Sequence, residues 1–468
     1  IPNFRKMMDE YSSGYYKVPS VGAGTANTEF ESITGMSMRY FGPGEYPYKG
    51  ILKETTCESA PYVLKNLGYR THAIHNNEAN FYGRRKVFDT FTSEEYMAEQ
   101  DDTTPTDWMR DRNLIKYIMQ ALEETDDPDY IYTISVQGHG DYPEEPMIEN
   151  PKIKVSGASS QAENYKWEYF ANQMYEMDQF VKNLTDVLSE YEEDVVLVMY
   201  GDHLPTMGLK VTDVKNKYLF QTQYVIWDNM GLEEKDKNLA AYQMAAEVMN
   251  QVGIHEGNVF RFHQARANTK NYQVDLESLQ YDILYGDKYV YGGENPFERV
   301  KIKLGIKDAE LHSIEKISDG RYYIKGNNFT QSAFLEVNGE LFETNFIDEQ
   351  TLLVLDVQIA DGDTVDVAIR SNSSTHKVLT RTQKYYYQEA DVVPQEGINA
   401  TEENLGDTGA EEGTDALEKK TPEENSESVV KPAKLIPIPQ EPEEETDADA
   451  ETDVDTDPSG NMTDKSNE

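Results

Sequence analysis

The stretch DVVLVMYGDHLP, residues 194–205, decides the fold class. Its apolar run, residues 195–200, is rich in β-branched side chains and stops abruptly at Gly201-Asp202-His203. A run this short, bounded by turn and polar residues, reads as a buried strand. YRTHAIHN (69–76), YIYTISVQ (130–137) and QYVIWDN (223–229) share its texture. Between the second of these and residue 194 lies a long helix. There Phe170, Met174, Met177, Val181, Leu184 and Leu188 recur at alternating spacings of four and three and form one apolar face. That stripe is core and implies no cofactor. LAAYQMAAEVMNQV, residues 239–252, predicts a second helix. Strands alternating with helices predict an α/β domain over residues 1–290, a mainly parallel sheet flanked by helices.

Ligands of such sheets bind beyond the carboxyl ends of the strands. Three loops lie there. YTISVQ runs into Gly138-His139-Gly140, VVLVMY runs into Gly201-Asp202-His203, and the loop after THAIHN carries Phe81-Tyr82-Gly83-Arg84-Arg85. VGAGTANTEFESITGM, residues 21–36, adds a fourth element. Gly22, Ala23 and Gly24 allow a sharp turn, and Asn27-Thr28-Glu29 resembles a helix start. Thr25 is therefore placed where a loop meets a helix N-terminus, a position that favours an anion. The alternative is a glycine-rich turn capping an ordinary helix.

Each signal has two readings. Asp202-His203 offers a carboxylate and an imidazole that suit Mn²⁺ or Zn²⁺, and Mg²⁺ less well; or it is a strand-end turn with an ordinary histidine. His139 is a binding residue or a loop histidine flanked by glycines. Arg84 and Arg85 form an anion site or a solvated charge pair. His72 and His75 fall on opposite registers of one strand and read as structural or surface residues. Asp107-Trp108 and Arg110-Asp111 cap or brace the helix that follows.

The 468 residues carry a formal net charge of −43 with 38% hydrophobic content. From residue 389 onward there are 25 acids against 5 lysines, so this tail holds −20 and the body −23. A body this acidic argues against nucleic-acid binding, which needs clustered Lys and Arg. The single cysteine, Cys57, excludes an intramolecular disulfide. No apolar run reaches the roughly 18 residues that span a bilayer, and the chain begins at Ile1 without a signal peptide, which reads as a fragment or a processed chain. After a linker, residues 291–307, period-two alternation broken by Asn-Gly and Asp-Gly turns predicts a small antiparallel β-sandwich over residues 308–388. It resembles the immunoglobulin-like fold of the IPT/TIG type through IKGNNF (324–329). Residues 389–468 are too polar to offset the entropy of ordering and are expected to be disordered. Within them VVKPAKLIPIPQ (429–440) is expected to be extended and polyproline-like.

Taken together, GAGTANTEFE (22–31), NFYGRR (80–85), SVQGHGDYP (135–143) and MYGDHLP (199–205), closed by LESLQYDILYG (276–286), resemble the extracellular catalytic domain of lipoteichoic acid synthases. These are relatives of phosphoglycerol transferases in the sulfatase/alkaline phosphatase superfamily. The resemblance implies that Thr25 attacks the phosphorus of phosphatidylglycerol, forms a glycerophosphoryl-threonine and releases diacylglycerol. The glycerophosphate then passes to a hydroxyl of a glycolipid or polymer acceptor. It implies Asp202, His203 and Thr25 as ligands of Mn²⁺, with Mg²⁺ as a substitute, and His139, Arg84 and Tyr82 around the glycerophosphate. Tyr82 stands where relatives have a tryptophan. The implied location is a cell membrane, with the catalytic domain outside.

The family also has a metal-ligand glutamate at the end of its first sheet strand. IPNFRKMMDEYSSGYY (1–16) reads as a helix and turn following that strand, and neither Asp9 nor Glu10 stands at a strand end. The expectation is that the glutamate, its strand and the membrane helices are missing from this chain, and that the chain alone binds metal weakly or is inactive. Four rivals are weighed against the family reading. A true sulfatase needs Cys or Ser in C-x-P-x-R, and Cys57-Glu58-Ser59-Ala60-Pro61 fails that pattern. A two-metal phosphodiesterase needs more paired Asp and His, and a phosphoethanolamine transferase usually carries disulfides. A catalytically inactive surface scaffold is the reading from a different class.

Overall fold

Short apolar runs become strands here because partners cover both of their faces. The computed structural model describes residues 1–42, 44–79, 89–98, 101–300, 302–372, 376–389 and 432–439. The α/β part contains α1 (Pro2–Glu10), β1 (Ser12–Lys17), α2 (Thr25–Thr34), α3 (Ile51–Glu54), α4 (Ala60–Asn66), β2 (Arg70–His75) and β3 (Thr90–Thr92). It continues with α5 (Leu114–Leu122), β4 (Asp129–Ile134), α6 (Gln161–Ser189), β5 (Val196–Tyr200), β6 (Gln221–Asp228) and β7 (Leu239–Ala240). It ends with α7 (Met244–Gln251), α8 (Asn258–Arg266), α9 (Tyr272–Leu284) and β8 (Lys303–Leu304).

Two four-stranded sheets result. The order β4-β2-β3-β8 is parallel throughout. In β5-β6-β1-β7, β6 runs antiparallel to both β5 and β1, and β1 pairs in parallel with β7. The cause is connectivity: no helix separates β5 from β6, so the chain returns directly and antiparallel. The phenol oxygens of Tyr132 (β4) and Tyr200 (β5) hydrogen-bond at 2.6 Å and link the sheets. Alternation along β6 serves two cores. Val225 and Trp227 pack with α1, α5 and α6 through Met7, Leu114, Val181, Leu184 and Leu188. Tyr224 and Ile226 pack on the opposite face with Tyr16, Leu239 and Met244.

Two local differences from the sequence reading have physical causes. SSGYYK, read as part of a turn, is β1, because every residue from Ser12 to Lys17 finds a register partner in β6. Gly14 is required in it: a Cβ there would lie 2.2 Å from the Lys237 carbonyl oxygen. The helix expected from residue 239 starts at Met244, because Leu239 and Ala240 are taken by the sheet.

The C-terminal part contains β9 (Glu310–Ser318), β10 (Arg321–Asn327), β11 (Ala333–Val337), β12 (Glu340–Phe342), β13 (Thr344–Asp348) and β14 (Thr351–Leu355). It is completed by β15 (Thr364–Arg370), β16 (Val378–Arg381), β17 (Tyr385–Gln388) and β18 (Lys434–Pro437). All its pairings are antiparallel, in the orders β13-β14-β10-β9 and β12-β11-β15-β17-β18, with β16 on β15. The two sheets enclose Ile314, Tyr322, Ile324, Leu335, Leu352, Val354, Val365 and Val367. Thus β18, from the proline-rich stretch, is extended and paired at the sheet edge, where proline is tolerated. The remaining acidic stretch, 390–431 and 440–468, lies outside the described residues.

The first turn of α1 is capped from another helix. Asp178 of α6, 1% exposed, accepts hydrogen bonds from the amides of Asn3 (3.1 Å) and Phe4 (2.9 Å). Asp178→Ala should lower stability by about 2 kcal/mol, read as a fall in thermal midpoint. Glu31 of α2 accepts from Ser37 Oγ (3.0 Å) and Met38 N (2.8 Å), and burial pushes its carboxyl up to about 7. The folded chain therefore holds this proton more tightly than the unfolded one. The stability it contributes is complete below the ordinary glutamate pKa and is lost as pH rises through about 7. Glu31→Gln should flatten that decline in denaturation curves measured between pH 5 and 8.

Candidate active site

Thr25 owes its position to glycine. Gly24 caps α2 with φ +96°, a left-handed conformation, and a Cβ there would meet Ser20 Oγ at 2.7 Å. Thr25 is then the first residue of a ten-residue helix. The loop before it is fastened to the β5–β6 loop. Gly22 N donates to the Leu204 carbonyl at 3.0 Å, and Thr206 Oγ1 donates to the Gly22 carbonyl. Asp202 and His203 immediately precede those anchors.

The protonation of His203 follows from its neighbours. Its Nδ1 lies 2.8 Å from the Leu204 carbonyl oxygen, which can only accept, so Nδ1 carries the hydrogen. In the neutral ring Nε2 then presents a lone pair. It faces Thr25 Oγ1 at 3.3 Å and Asp202 Oδ2 at 3.3 Å. The other Asp202 oxygen accepts from His203 N at 2.9 Å, and the Asp202 carbonyl accepts from Thr28 Oγ1 at 2.8 Å. A lone pair facing a carboxylate is repulsive unless a cation stands between them. A proton on Nε2 or a metal ion meets that demand, and a nitrogen, a carboxylate and a hydroxyl converging on one point fit Mn²⁺. Among the described residues no group of three or more His, Cys, Asp and Glu could hold a metal. The donors that the structure brings together here are Asp202, His203 and Thr25.

His139 joins the same rim. The Trp108 indole stands edge-on to its ring, centroids 5.2 Å apart at 70°, and donates from Nε1 to the Gly140 carbonyl at 3.2 Å. A Cβ on Gly140 would lie 3.9 Å from Thr206 Oγ1, so this loop abuts the anchor of the threonine loop. Tyr142 donates to the Gly138 carbonyl at 3.1 Å. Burial pushes its phenol pKa up, and the charges of Asp202 and Asp141 add to the shift. Sequence reasoning missed Trp108 and Tyr142 as site residues, because neither belongs to a spacing pattern. Tyr82 and Arg84, with Arg85, lie outside the described residues. His72 and His75 are buried and structural: His72 bridges Thr90 Oγ1 (2.7 Å) and Asp129 Oδ1 (2.9 Å), and His75 Nδ1 lies 2.8 Å from the Ile134 carbonyl. The Cys57 thiol is buried, and burial pushes it up to about 12, too high for a nucleophile at neutral pH.

Asp111 holds these loops from below. Fully buried, it accepts from Ser135 Oγ (2.8 Å) and Asn76 Nδ2 (3.0 Å), while its amide donates to Gln137 Oε1 at 2.8 Å. Asn76 Oδ1 in turn accepts from Val136 N at 3.0 Å. The ends of β2 and β4 and the Trp108 segment are thereby tied together. Asp111→Ala leaves several buried donors without acceptors and should cost about 2–4 kcal/mol. Hydrogen exchange at residues 135–140 should quicken in that variant.

The family model for sulfatases matches residues 1–254. The structure of Streptococcus pyogenes phosphoglycerol transferase GacH in complex with sn-glycerol-1-phosphate superposes with TM-score 0.56 at 19% identity, over 64% of this chain and 83% of that one. At that identity the likeness is one of fold. The lipoteichoic acid synthase LtaP of Listeria monocytogenes gives TM-score 0.44 at 17% identity, over 55% of this chain and 66% of that one. In Rhizobium meliloti (strain 1021), a protein named "Putative cyclic beta-1,2-glucan modification protein" is 25% identical over 327 residues, 60% of this chain. The chain spans 50% of that relative's length.

Proposed function

The chain belongs to the sulfatase family, and from that premise we propose that it transfers glycerophosphate from a phosphatidylglycerol headgroup to a hydroxyl acceptor, with Thr25 as the nucleophile. The observation that carries this reading is the 3.3 Å approach of Thr25 Oγ1 to His203 Nε2 at the N-terminus of α2, with Asp202 beside them. The fold shared with a phosphoglycerol transferase supports it. So does the absence of a C-x-P-x-R motif around Cys57, the only cysteine, which argues against sulfate-ester hydrolysis through a converted cysteine.

In the first step Thr25 Oγ1 forms a bond to phosphorus and the bond to the diacylglycerol oxygen breaks. The hydroxyl proton leaves Thr25 and the lipid alkoxide gains one, so diacylglycerol departs neutral. In the second step the acceptor oxygen bonds to phosphorus, the Thr25 Oγ1–P bond breaks, and the proton lost by the acceptor hydroxyl is balanced by the one regained at Thr25 Oγ1. The free amides of α2 face the phosphate and favour its negative charge. His203 is held by the Leu204 carbonyl so that Nε2 stays aimed at the hydroxyl. His139, steadied by Trp108, and Arg84 and Tyr82 are assigned to the glycerophosphate. Asp202, His203 and Thr25 would hold Mn²⁺, which when bound lowers the pKa of the hydroxyl and offsets phosphate charge.

The acceptor is proposed to be a sugar or polyol hydroxyl of the cell envelope. The name of the Rhizobium relative favours a glycan in that role; the resemblance to lipoteichoic acid synthases favours a polyglycerophosphate chain. The reaction is proposed to run at the outer face of a cell membrane. Among the described residues no helix is long and apolar enough to cross one.

Intact-mass measurement after incubation with phosphatidylglycerol and Mn²⁺ tests the assignment. One glycerophosphoryl adduct is expected once the strand that the sequence reading places before Pro2 is supplied, little or none on residues 1–468 alone, and none on Thr25→Ala in either form. Asp202→Ala should slow adduct formation at least about 100-fold, the scale of losing a charge-stabilising group. An adduct that persists in Thr25→Ala would remove Thr25 from the reaction. Glycerol phosphate released without any adduct would favour a hydrolase, and no turnover at all would favour a scaffold.

A further inference from the structure

The loop between β5 and β6 is locally basic in an acidic chain. Residues 203–220 carry Lys210, Lys215 and Lys217 against the single acid Asp213, a local charge of +2 in a chain of −43. That aspartate is occupied within the loop, accepting from Lys210 N at 2.9 Å and Thr212 Oγ1 at 3.2 Å. All three lysines are exposed, and Lys17, at the end of β1, lies exposed opposite Gln221 at the base of the loop. The same loop leaves Val211 49%, Tyr218 39% and Phe220 41% exposed, with Tyr218 and Phe220 in ring contact at 6.0 Å.

Lysines interleaved with exposed aliphatic and aromatic side chains match an anionic lipid surface. The ammonium groups meet headgroup phosphates, and the rings and Val211 enter the boundary between headgroups and acyl chains. The loop is also continuous with the site: Asp202 and His203 open it, and Leu204 and Thr206 hold the backbone just before Thr25.

We propose that residues 204–220 form a docking surface for an anionic bilayer, which presents lipid headgroups edge-on to Thr25. The role given to the docked lipid rests on the transferase reading above, whereas the docking itself is measured without catalysis. The probe is flotation of the full chain with vesicles of phosphatidylcholine alone, or with one third of the lipid replaced by phosphatidylglycerol or by phosphatidylserine. Binding is expected to both anionic compositions, not to phosphatidylcholine, and is expected to fall as salt rises. Replacing Lys210, Lys215 and Lys217 together by Gln should weaken it about 100-fold, roughly fivefold per lysine. Val211→Ser with Tyr218→Ser should weaken binding to both anionic compositions while leaving the thermal midpoint unchanged, since both side chains are exposed.

Equal binding to phosphatidylcholine, or undiminished binding of the lysine variant, overturns the proposal. Binding to phosphatidylglycerol but not phosphatidylserine also overturns it, because that pattern belongs to headgroup recognition inside the site. Thr25→Ala should float like the wild type. A separate arm reads adduct formation on the wild-type chain, with the strand before Pro2 supplied, from a short-chain, water-soluble phosphatidylglycerol. Vesicle binding without that adduct upholds the docking surface and sinks the transferase reading; the adduct without vesicle binding does the reverse.

Discussion

The hydrogen bond from Gly22 N to the Leu204 carbonyl is the constraint on which the candidate site depends. It joins the loop that ends β1 to the loop that leaves β5, two segments far apart in the chain. The Leu204 carbonyl also receives Nδ1–H of His203. One oxygen thus positions the threonine loop and fixes the imidazole tautomer together. Thr206 repeats the fastening from the other side through the Gly22 carbonyl. Gly24, left-handed at φ +96°, then turns the chain into α2, and Thr28 Oγ1 ties that helix to the Asp202 carbonyl.

Beneath that fastening, the scaffold works through buried polar groups as much as through apolar packing. Asp111, Asn76 and Gln137 join the ends of two parallel strands, and Tyr132 with Tyr200 joins one sheet to the other. Buried polar groups are costly unless partnered, and here each partnership lies directly under a loop carrying a candidate residue. Rigidity is therefore concentrated where reacting atoms must be held within fractions of an ångström.

Much of this arrangement was legible in the residues. The runs that became β2, β4, β5 and β6 are apolar enough to declare themselves; of the stripe expected on α6, Val181, Leu184 and Leu188 are core, whereas Phe170, Met174 and Met177 are half-buried and Asn172, Gln173 and Asp178 take the buried positions. Asp202 and His203 meet Thr25, as their placement at a strand end and a helix start suggested. His139 falls on the same rim, with its ring against Trp108. SSGYYK was not legible, because two serines and a glycine carry no strand signal of their own. Pairing with β6 makes the strand, a tertiary effect that local propensity does not contain. Trp108 and Tyr142 escaped for a related reason: a loop residue is brought to a site by the path of the backbone, and no periodicity records that path. The antiparallel return of β6 could be inferred only from the lack of a helix between residues 205 and 220.

The two-residue strand β8 has a consequence for anyone dividing the chain. Lys303 and Leu304 cover the open side of β3, with Lys303 N donating to the Asp89 carbonyl and Gly305 N to that of Phe91. The β-sandwich beyond it adds contacts nearby, from Gln331 to the Ala98 carbonyl and from Asn372 to Glu94. A cut at residue 290, where helical texture ends, would strip that cover and leave a parallel sheet with an uncapped rim. Bare strand edges recruit other chains. A domain trimmed to its catalytic-looking part would thus tend to self-associate and precipitate, and a soluble boundary lies beyond Gly305.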